Sequence, residues 1–91
     1  MTEISTAIES TLIRHFFPSF LNMVHMYPET EEEYIHVIIS CSKFKKLPIS
    51  QRTHAVFSCL DRDNFDILCR IPVYVETYTT DEMGDLIEFF L

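Results

Sequence analysis

The chain has 91 residues, of which 47% are hydrophobic and 23% are charged, and its formal net charge is −7. This length fits one domain, residues 1–91, whose folding removes about 60% of the unfolded surface from water. The negative charge opposes non-specific binding to nucleic acid, because such binding depends on Lys and Arg displacing counterions from phosphates. No apolar run in the sequence reaches the ~18 residues of a membrane span, so we expect no membrane association.

The cysteines favour free thiols over a disulfide framework. Cys41, Cys59 and Cys69 are odd in number and none belongs to a C-x-x-C arrangement, which argues against both a disulfide scaffold and a closed zinc site. We expect Cys41 and Cys59 to pack in the core. Reduced thiols are typical of a cytoplasmic protein, and the N-terminus lacks the basic and apolar segments of a signal peptide. A cytoplasmic location is therefore our expectation, with an organelle left open.

The first half of the chain predicts a helix followed by a strand hairpin. Apolar residues at helical spacing predict a helix from Glu3 to Phe16, which Pro18 ends because proline cannot continue a helical hydrogen-bond ladder. Two short apolar runs, at 20–26 and 34–41, then predict strands. The charged sequence between them, 29–33, reads as the hairpin loop.

The second strand alternates between an apolar and a more polar face. Ile35, Val37 and Ile39 share the face that we expect to meet the core, whereas the other face should meet solvent and carries His36, Ile38 and Ser40. This pattern predicts helices on one side of the sheet only. If the first two strands pair antiparallel, His25 and His36 become a candidate metal pair; ordinary surface or structural histidines are the alternative.

The second half predicts helix, strand and helix. Leu47-Pro48 opens a helix that ends near Asp61, followed by a turn at 61–64 and a third strand at 68–77. Thr79 and Glu82 form a capping box for a last amphipathic helix with apolar positions at Met83, Leu86, Ile87 and Phe90. The order α-β-β-α-β-α, with a helical crossover before the third strand, predicts a two-layer α+β fold with a three-stranded mixed sheet.

Four short motifs in this order resemble the BolA family. F-F-P-S-F-L (16–21) is similar to its F-x-P-x-x-L, and I-S-C-S-K-F (39–44) to its V-x-S-x-x-F pattern. Q-R-T-H-A-V (51–56) is similar to Q-R-H-x-x-V with the histidine one place late, and T-Y-T-T-D-E-M (77–83) is close to T-Y-T-x-x-E-W. The resemblance spans residues 8–83 and implies a BolA-like fold, related to that of type II KH domains.

This resemblance implies a non-enzymatic adaptor. BolA-like proteins pair with monothiol glutaredoxins and share a [2Fe–2S] cluster in iron–sulfur trafficking or iron regulation, so the chain alone should hold no cofactor. A DNA-binding transcription regulator and a metal-free interaction domain are the alternatives, the former using the second helix and the lysines at 43–46. We expect no enzyme, because the single glycine rules out a Gly-rich phosphate loop and no nucleophile lies beside a positioned base. Monomer and weak homodimer both stay open.

The family's ligand histidine is missing from its usual position. Counting back from Thr77 places Ile71 there, and the hairpin loop at 27–33 contains neither histidine nor cysteine. If a cluster is shared, Cys69 or His54 would have to replace the usual ligand, since thiolate and imidazole are both suitable donors. A buried strand cysteine and an ordinary helix histidine are the alternatives.

The same segment supplies the predicted docking surface for the partner. We place this surface at the start of the third strand and on the second helix, and its predicted residues are Arg52, His54, Cys69 and Arg70.

Overall fold

A computed structural model of the chain describes residues 3–29 and 32–86. The helices and strands, in chain order, are α1 (Glu3–Phe16), β1 (Phe20–Met26), β2 (Tyr34–Ser40), α2 (Ile49–Asp63), α3 (Phe65–Arg70), β3 (Val73–Tyr78) and α4 (Thr80–Leu86), with a short 3₁₀ turn at Ser42–Phe44. The bounds predicted for α1 and β1 are confirmed. The predicted apolar positions Ile87 and Phe90 lie outside the described residues.

The described strands form a mixed sheet in the order β1-β2-β3. β1 pairs antiparallel with β2, and β2 pairs parallel with β3. A parallel partner requires a crossover connection, which α2 and α3 provide. The predicted two-layer α+β fold with a three-stranded mixed sheet is therefore confirmed.

The core lies between the sheet and the first two helices. Its buried residues come from one stripe of each helix, one face of β2 and the connections that flank them: Ile8, Leu12, Phe16, Ile35, Val37, Ile39, Cys41, Phe44, Val56, Leu60, Ile67 and Ile71. Cys41 is fully buried and Cys59 packs at the edge of this cluster, so the predicted packing roles are confirmed. β2 is the central strand and contributes most to the core because it is flanked on both sides.

The second face of β2 is less exposed than its sequence suggests. Ile38 and Ser40 are buried, which corrects the prediction that both meet solvent. Ser19 explains the burial of Ser40: its N–H donates to the Ser40 carbonyl at 2.9 Å and the two hydroxyl oxygens lie 2.6 Å apart. The Thr80 hydroxyl, at the start of α4, also lies 3.3 Å from that of Ser19. Ser19 and the start of α4 thus cover the end of β2 at Ser40.

The predicted start of the third strand is wrong. Residues 68–70 belong to α3. The Leu68 N–H donates to the Asn64 carbonyl at the start of this helix, and the Ile71 N–H donates to the Ile67 carbonyl at its end. α2 also continues to Asp63 instead of ending near Asp61. A short apolar run is compatible with either a strand or a buried helix, and here the helix buries Ile67 against the core.

The capping box at the start of α4 is confirmed. The Thr79 N–H donates to Glu82 Oε1 at 2.7 Å, and the Glu82 N–H donates to the Thr79 hydroxyl at 3.1 Å. These reciprocal bonds satisfy the backbone N–H groups of Thr79 and Glu82, which have no partner within the helix. The start of α4 is thereby fixed to Thr79, the residue that follows β3.

Gly84 offers a simple test of how far α4 contributes to stability. It lies within α4 and is exposed, and no atom stands within 4 Å of the position a Cβ would take. Gly84→Ala should raise the free energy of unfolding by about 0.5–1 kcal/mol, since alanine loses less backbone entropy in a helix. The midpoint of urea denaturation measures the change. An unchanged or lower midpoint would show that α4 is not helical at Gly84 in solution.

Candidate functional site

The predicted docking surface lies on the outer side of α2 and α3. His54 is exposed on α2, and Cys69 and Arg70 are exposed on the last turn of α3. α3 is placed there because Asn64 interrupts α2 and the burial of Ile67 turns the short helix back towards the core. Cys69 is therefore an exposed helical thiol, which corrects its expected position in a strand.

Arg52, the fourth predicted surface residue, is buried. Its Nε donates to the Leu47 carbonyl at 2.8 Å, and its guanidinium forms an ion pair with Glu82 at 2.7 Å. These bonds link the start of α2 to the capping box of α4. The geometry thus gives Arg52 a structural role, whereas His54, Cys69 and Arg70 are exposed.

The two candidate metal ligands face different surroundings. His54 borders a groove of about 270 Å³ whose other walls are Phe57, Ser58, Asp61 and Leu68. Leu68, and not Cys69, is the α3 residue that faces this groove. The fold therefore brings α3 beside His54 without directing the Cys69 thiol to the same groove.

The position of the family's ligand histidine does not fit an iron–sulfur cluster here. Ile71 is 5% exposed and belongs to the core, so it offers neither a donor atom nor a surface position. Among residues 3–29 and 32–86, no group of three or more His, Cys, Asp and Glu side chains could hold a metal ion. The described part of the chain thus supplies no built ligand set of its own.

The register of the hairpin separates the two histidines that were a candidate metal pair. His25 pairs with Ile35 and His36 pairs with Val24, so the two imidazoles lie on opposite faces of the sheet. Each has a carboxylate instead: His25 Nε2 lies 2.6 Å from Glu33, and His36 Nε2 lies 2.7 Å from Glu76. The metal-pair hypothesis is therefore wrong.

An ion cluster that the sequence did not reveal joins α1 to α2. Asp63, at the end of α2, accepts from Arg14 at 2.8 Å and lies 2.9 Å from His15 Nε2. Hydrogen bonds from His15 and Arg14 lower the pKa of the Asp63 carboxyl. In the sequence, only the basic residues in the last turn of α1 hinted at this cluster. They did not identify Asp63 as the partner, because it lies 48 positions from His15 and 49 from Arg14.

The lysine turn is less available to nucleic acid than its sequence suggests. Lys43 Nζ donates to the His15 carbonyl at 2.8 Å and lies 5.3 Å from the centre of the Phe17 ring. Lys45 and Lys46 are exposed, but the whole chain carries a net charge of −7. This geometry gives the DNA-binding alternative no specific support.

Comparison with known proteins identifies the fold. No family model and no curated protein sequence matches the chain. Among solved structures, a Bol-like protein from Babesia bovis is 17% identical with a TM-score of 0.74, covering 96% of this chain and 95% of that one. BolA1 from Arabidopsis thaliana is 16% identical with a TM-score of 0.74, covering 90% and 98%. BolA1 from Mus musculus is 17% identical with a TM-score of 0.75, covering 96% and 73%.

These likenesses extend over nearly the whole chain. The shared order of helices and strands agrees with the four motifs quoted above, and identities of 16–17% establish the fold alone. In the described residues, moreover, no helix is long and apolar enough to cross a bilayer. The chain has the fold of the BolA-like proteins.

Proposed function

We propose that the chain is a non-enzymatic adaptor that docks a monothiol glutaredoxin in iron–sulfur trafficking or iron regulation. The observation that carries this proposal is the BolA-like fold over 90–96% of the chain, with the family's motifs in the family's order. The three cysteines are free thiols, which suits a partner of the reducing cytoplasm.

The exposed side of α3 is the proposed docking surface. Phe65 is 57% exposed and borders a groove of about 420 Å³ that Arg62 and Arg70 also line. Aromatic and arginine side chains dominate binding energy at protein interfaces, because they bury a large area and make several hydrogen bonds. Cys69 lies beside Arg70 on the same helix. Asp63 and Asp66 line the same groove, so the surface combines an aromatic anchor with side chains of both charges.

A cluster in this complex would be held by the partner's own ligands. Ile71 occupies the usual ligand position and is buried and apolar, so this chain contributes no donor there. The exposed α3 surface would thus dock the glutaredoxin, and the glutaredoxin would supply the ligands of the cluster.

The proposal is tested by mixing the protein with a monothiol glutaredoxin, both apo and loaded with its [2Fe–2S] cluster. We expect one complex on a sizing column in both cases and an unchanged visible circular dichroism spectrum of the cluster. Absence of a complex would overturn the partner. A spectral change that Cys69→Ser abolishes would overturn the ligation statement and identify Cys69 as a ligand.

Phe65→Ala tests the docking surface directly. Because truncation of an aromatic anchor commonly weakens an interface by 1–2 kcal/mol or more, we expect the dissociation constant for the glutaredoxin to rise about tenfold. Tyr74→Ala is the matched control, since Tyr74 is 58% exposed but lies on the open face of the sheet, away from α3. Equal effects of the two variants on calorimetric affinity would refute the placement of the surface on α3.

A further inference from the structure

Within residues 3–29 and 32–86, the β3 edge of the sheet has no partner strand and offers backbone groups for pairing. β3 is an outer strand and pairs only with β2 among the described residues. The Ile35 N–H donates to the Pro72 carbonyl and the Cys41 N–H to the Tyr78 carbonyl, so the even-numbered residues of β3 direct their backbone groups towards β2. Since successive residues of a strand alternate in direction, the N–H and C=O groups of Val75 and Thr77 point outward.

A groove runs beside these outward-pointing groups. It has a volume of about 240 Å³ and lies between the start of α2 and β3, with the lining residues Ile49, Thr53, Val75, Glu76, Thr77 and Tyr78. Ile49 is 68% exposed, although it is one of the more hydrophobic side chains. An apolar side chain on a strand added to β3 would cover Ile49 and lose contact with water.

Thr77 provides an independent sign of a missing ligand. It is 7% exposed, and its hydroxyl is the one buried side-chain polar atom of residues 3–29 and 32–86 that has no hydrogen-bond partner. An unsatisfied buried hydroxyl destabilises a fold, and native proteins rarely retain one without a reason. Because Thr77 also lines the groove, a bound segment can supply the missing partner.

Charge decides which kind of segment fits. Glu76 lines the groove, and its side chain is 44% exposed although the carboxylate lies 2.7 Å from His36 Nε2 and accepts from the Tyr78 hydroxyl at 3.2 Å. The chain as a whole carries a net charge of −7. A second copy would bring another −7 to the same edge, and a nucleic acid would be repelled and cannot extend a sheet. A basic polypeptide segment has the complementary charge.

We propose that the groove between α2 and β3 binds an extended, basic segment of a partner protein, which adds a fourth strand at the β3 edge. Main-chain hydrogen bonds to Val75 and Thr77 provide affinity, as in other cases of strand addition. One apolar side chain of the segment covers Ile49, and a polar group satisfies the Thr77 hydroxyl. This site is separate from the α3 docking surface and does not depend on the glutaredoxin.

The experiment uses a displayed library of random peptides of about ten residues, panned against the intact protein. We expect enriched peptides to be basic, to bind less tightly as salt is raised, and to protect the Val75 and Thr77 amides from hydrogen exchange. Failure to enrich any peptide, or enrichment of peptides that protect other amides, would overturn the site. Enrichment of acidic peptides at this edge would overturn the charge argument.

Two substitutions at Thr77 separate binding from structure. Thr77→Val removes the hydroxyl at constant shape, so peptide affinity should fall about fivefold while the melting temperature rises by about 4 °C. Thr77→Ser keeps the hydroxyl and should keep most of the affinity. A loss of affinity with serine equal to that with valine would refute a role for the hydroxyl.

Val75→Pro tests the strand addition itself. The Val75 N–H points away from β2, so proline removes a donor needed by an added strand and none used in the β2–β3 ladder. Peptide binding should be lost while the far-ultraviolet circular dichroism spectrum is kept. If sedimentation shows a dimer that Val75→Pro dissociates, a second copy occupies the edge and the proposed partner segment is wrong.

Discussion

Replacing Phe44 by alanine is expected to lower the free energy of unfolding by about 3–5 kcal/mol. Phe44 is fully buried, and its ring centre lies 5.5 Å from that of Phe16 on α1. It is the last residue of the 3₁₀ turn after β2 and packs between the sheet and the first helix. Alanine would leave a cavity and remove this aromatic contact. Small domains have total stabilities of about 5–15 kcal/mol, so the variant should be close to unfolding.

Urea denaturation followed by circular dichroism measures this loss. Phe17→Ala is the matched control, because Phe17 lies next to Phe16 in the chain but is 74% exposed. Its truncation removes the exposed contact of Lys43 with the Phe17 ring and should lower the free energy of unfolding by no more than about 1 kcal/mol. If Phe44→Ala were as mild as this control, the core would not be packed around Phe44 as described.

Arg52→Met is expected to lower the free energy of unfolding by about 1–3 kcal/mol. Methionine keeps an unbranched apolar stem but removes the bonds to the Leu47 carbonyl and to Glu82. The Leu47 carbonyl then loses a charged donor, and α4 loses its link to α2. Arg62→Met serves as the control, since the Arg62 side chain is 64% exposed and exposed ion pairs contribute little.

The same contact predicts a dependence on pH. The Thr79 N–H and then the Arg52 guanidinium lower the pKa of Glu82 below its ordinary value. A group whose pKa is depressed by folding stabilises the fold above its unfolded pKa, about 4.3 for Glu, and this contribution disappears as pH falls through the lower folded value. As pH falls below about 4.3, Arg52→Met should therefore lose less stability than the parent protein. Parallel acid-denaturation curves would contradict this.

The sequence predicted the local structure well where one pattern dominated. The helical spacing of α1, the proline after it and the Thr79–Glu82 capping box each involve residues within a few positions of one another, and all three are confirmed. α3 was missed because six residues of mixed apolar character fit a strand as well as a helix. The burial of Ile67, which depends on the assembled core, favours the helix.

Of the four residues predicted for the docking surface, three are exposed and Arg52 is buried. His54, Cys69 and Arg70 are exposed on neighbouring helices, as a docking surface requires. Arg52 was assigned to the same surface, since nothing in its neighbourhood indicated Glu82, 30 positions away, as its partner. Phe65 was not singled out, because an isolated phenylalanine in an apolar segment is more often buried than exposed.

The sequence by itself determined the class of fold, the order of its three strands relative to α1, α2 and α4, and the absence of a donor at Ile71. These depend on periodicity, capping residues and motif order, which are local properties of the chain. Only the tertiary structure decided that Arg52 is internal and that His25 and His36 lie on opposite faces. It also decided that the Thr77 hydroxyl, at the outer edge of β3, has no hydrogen-bond partner in the described part of the chain. Each depends on register or on contacts between distant segments, and none has a local signature in the sequence.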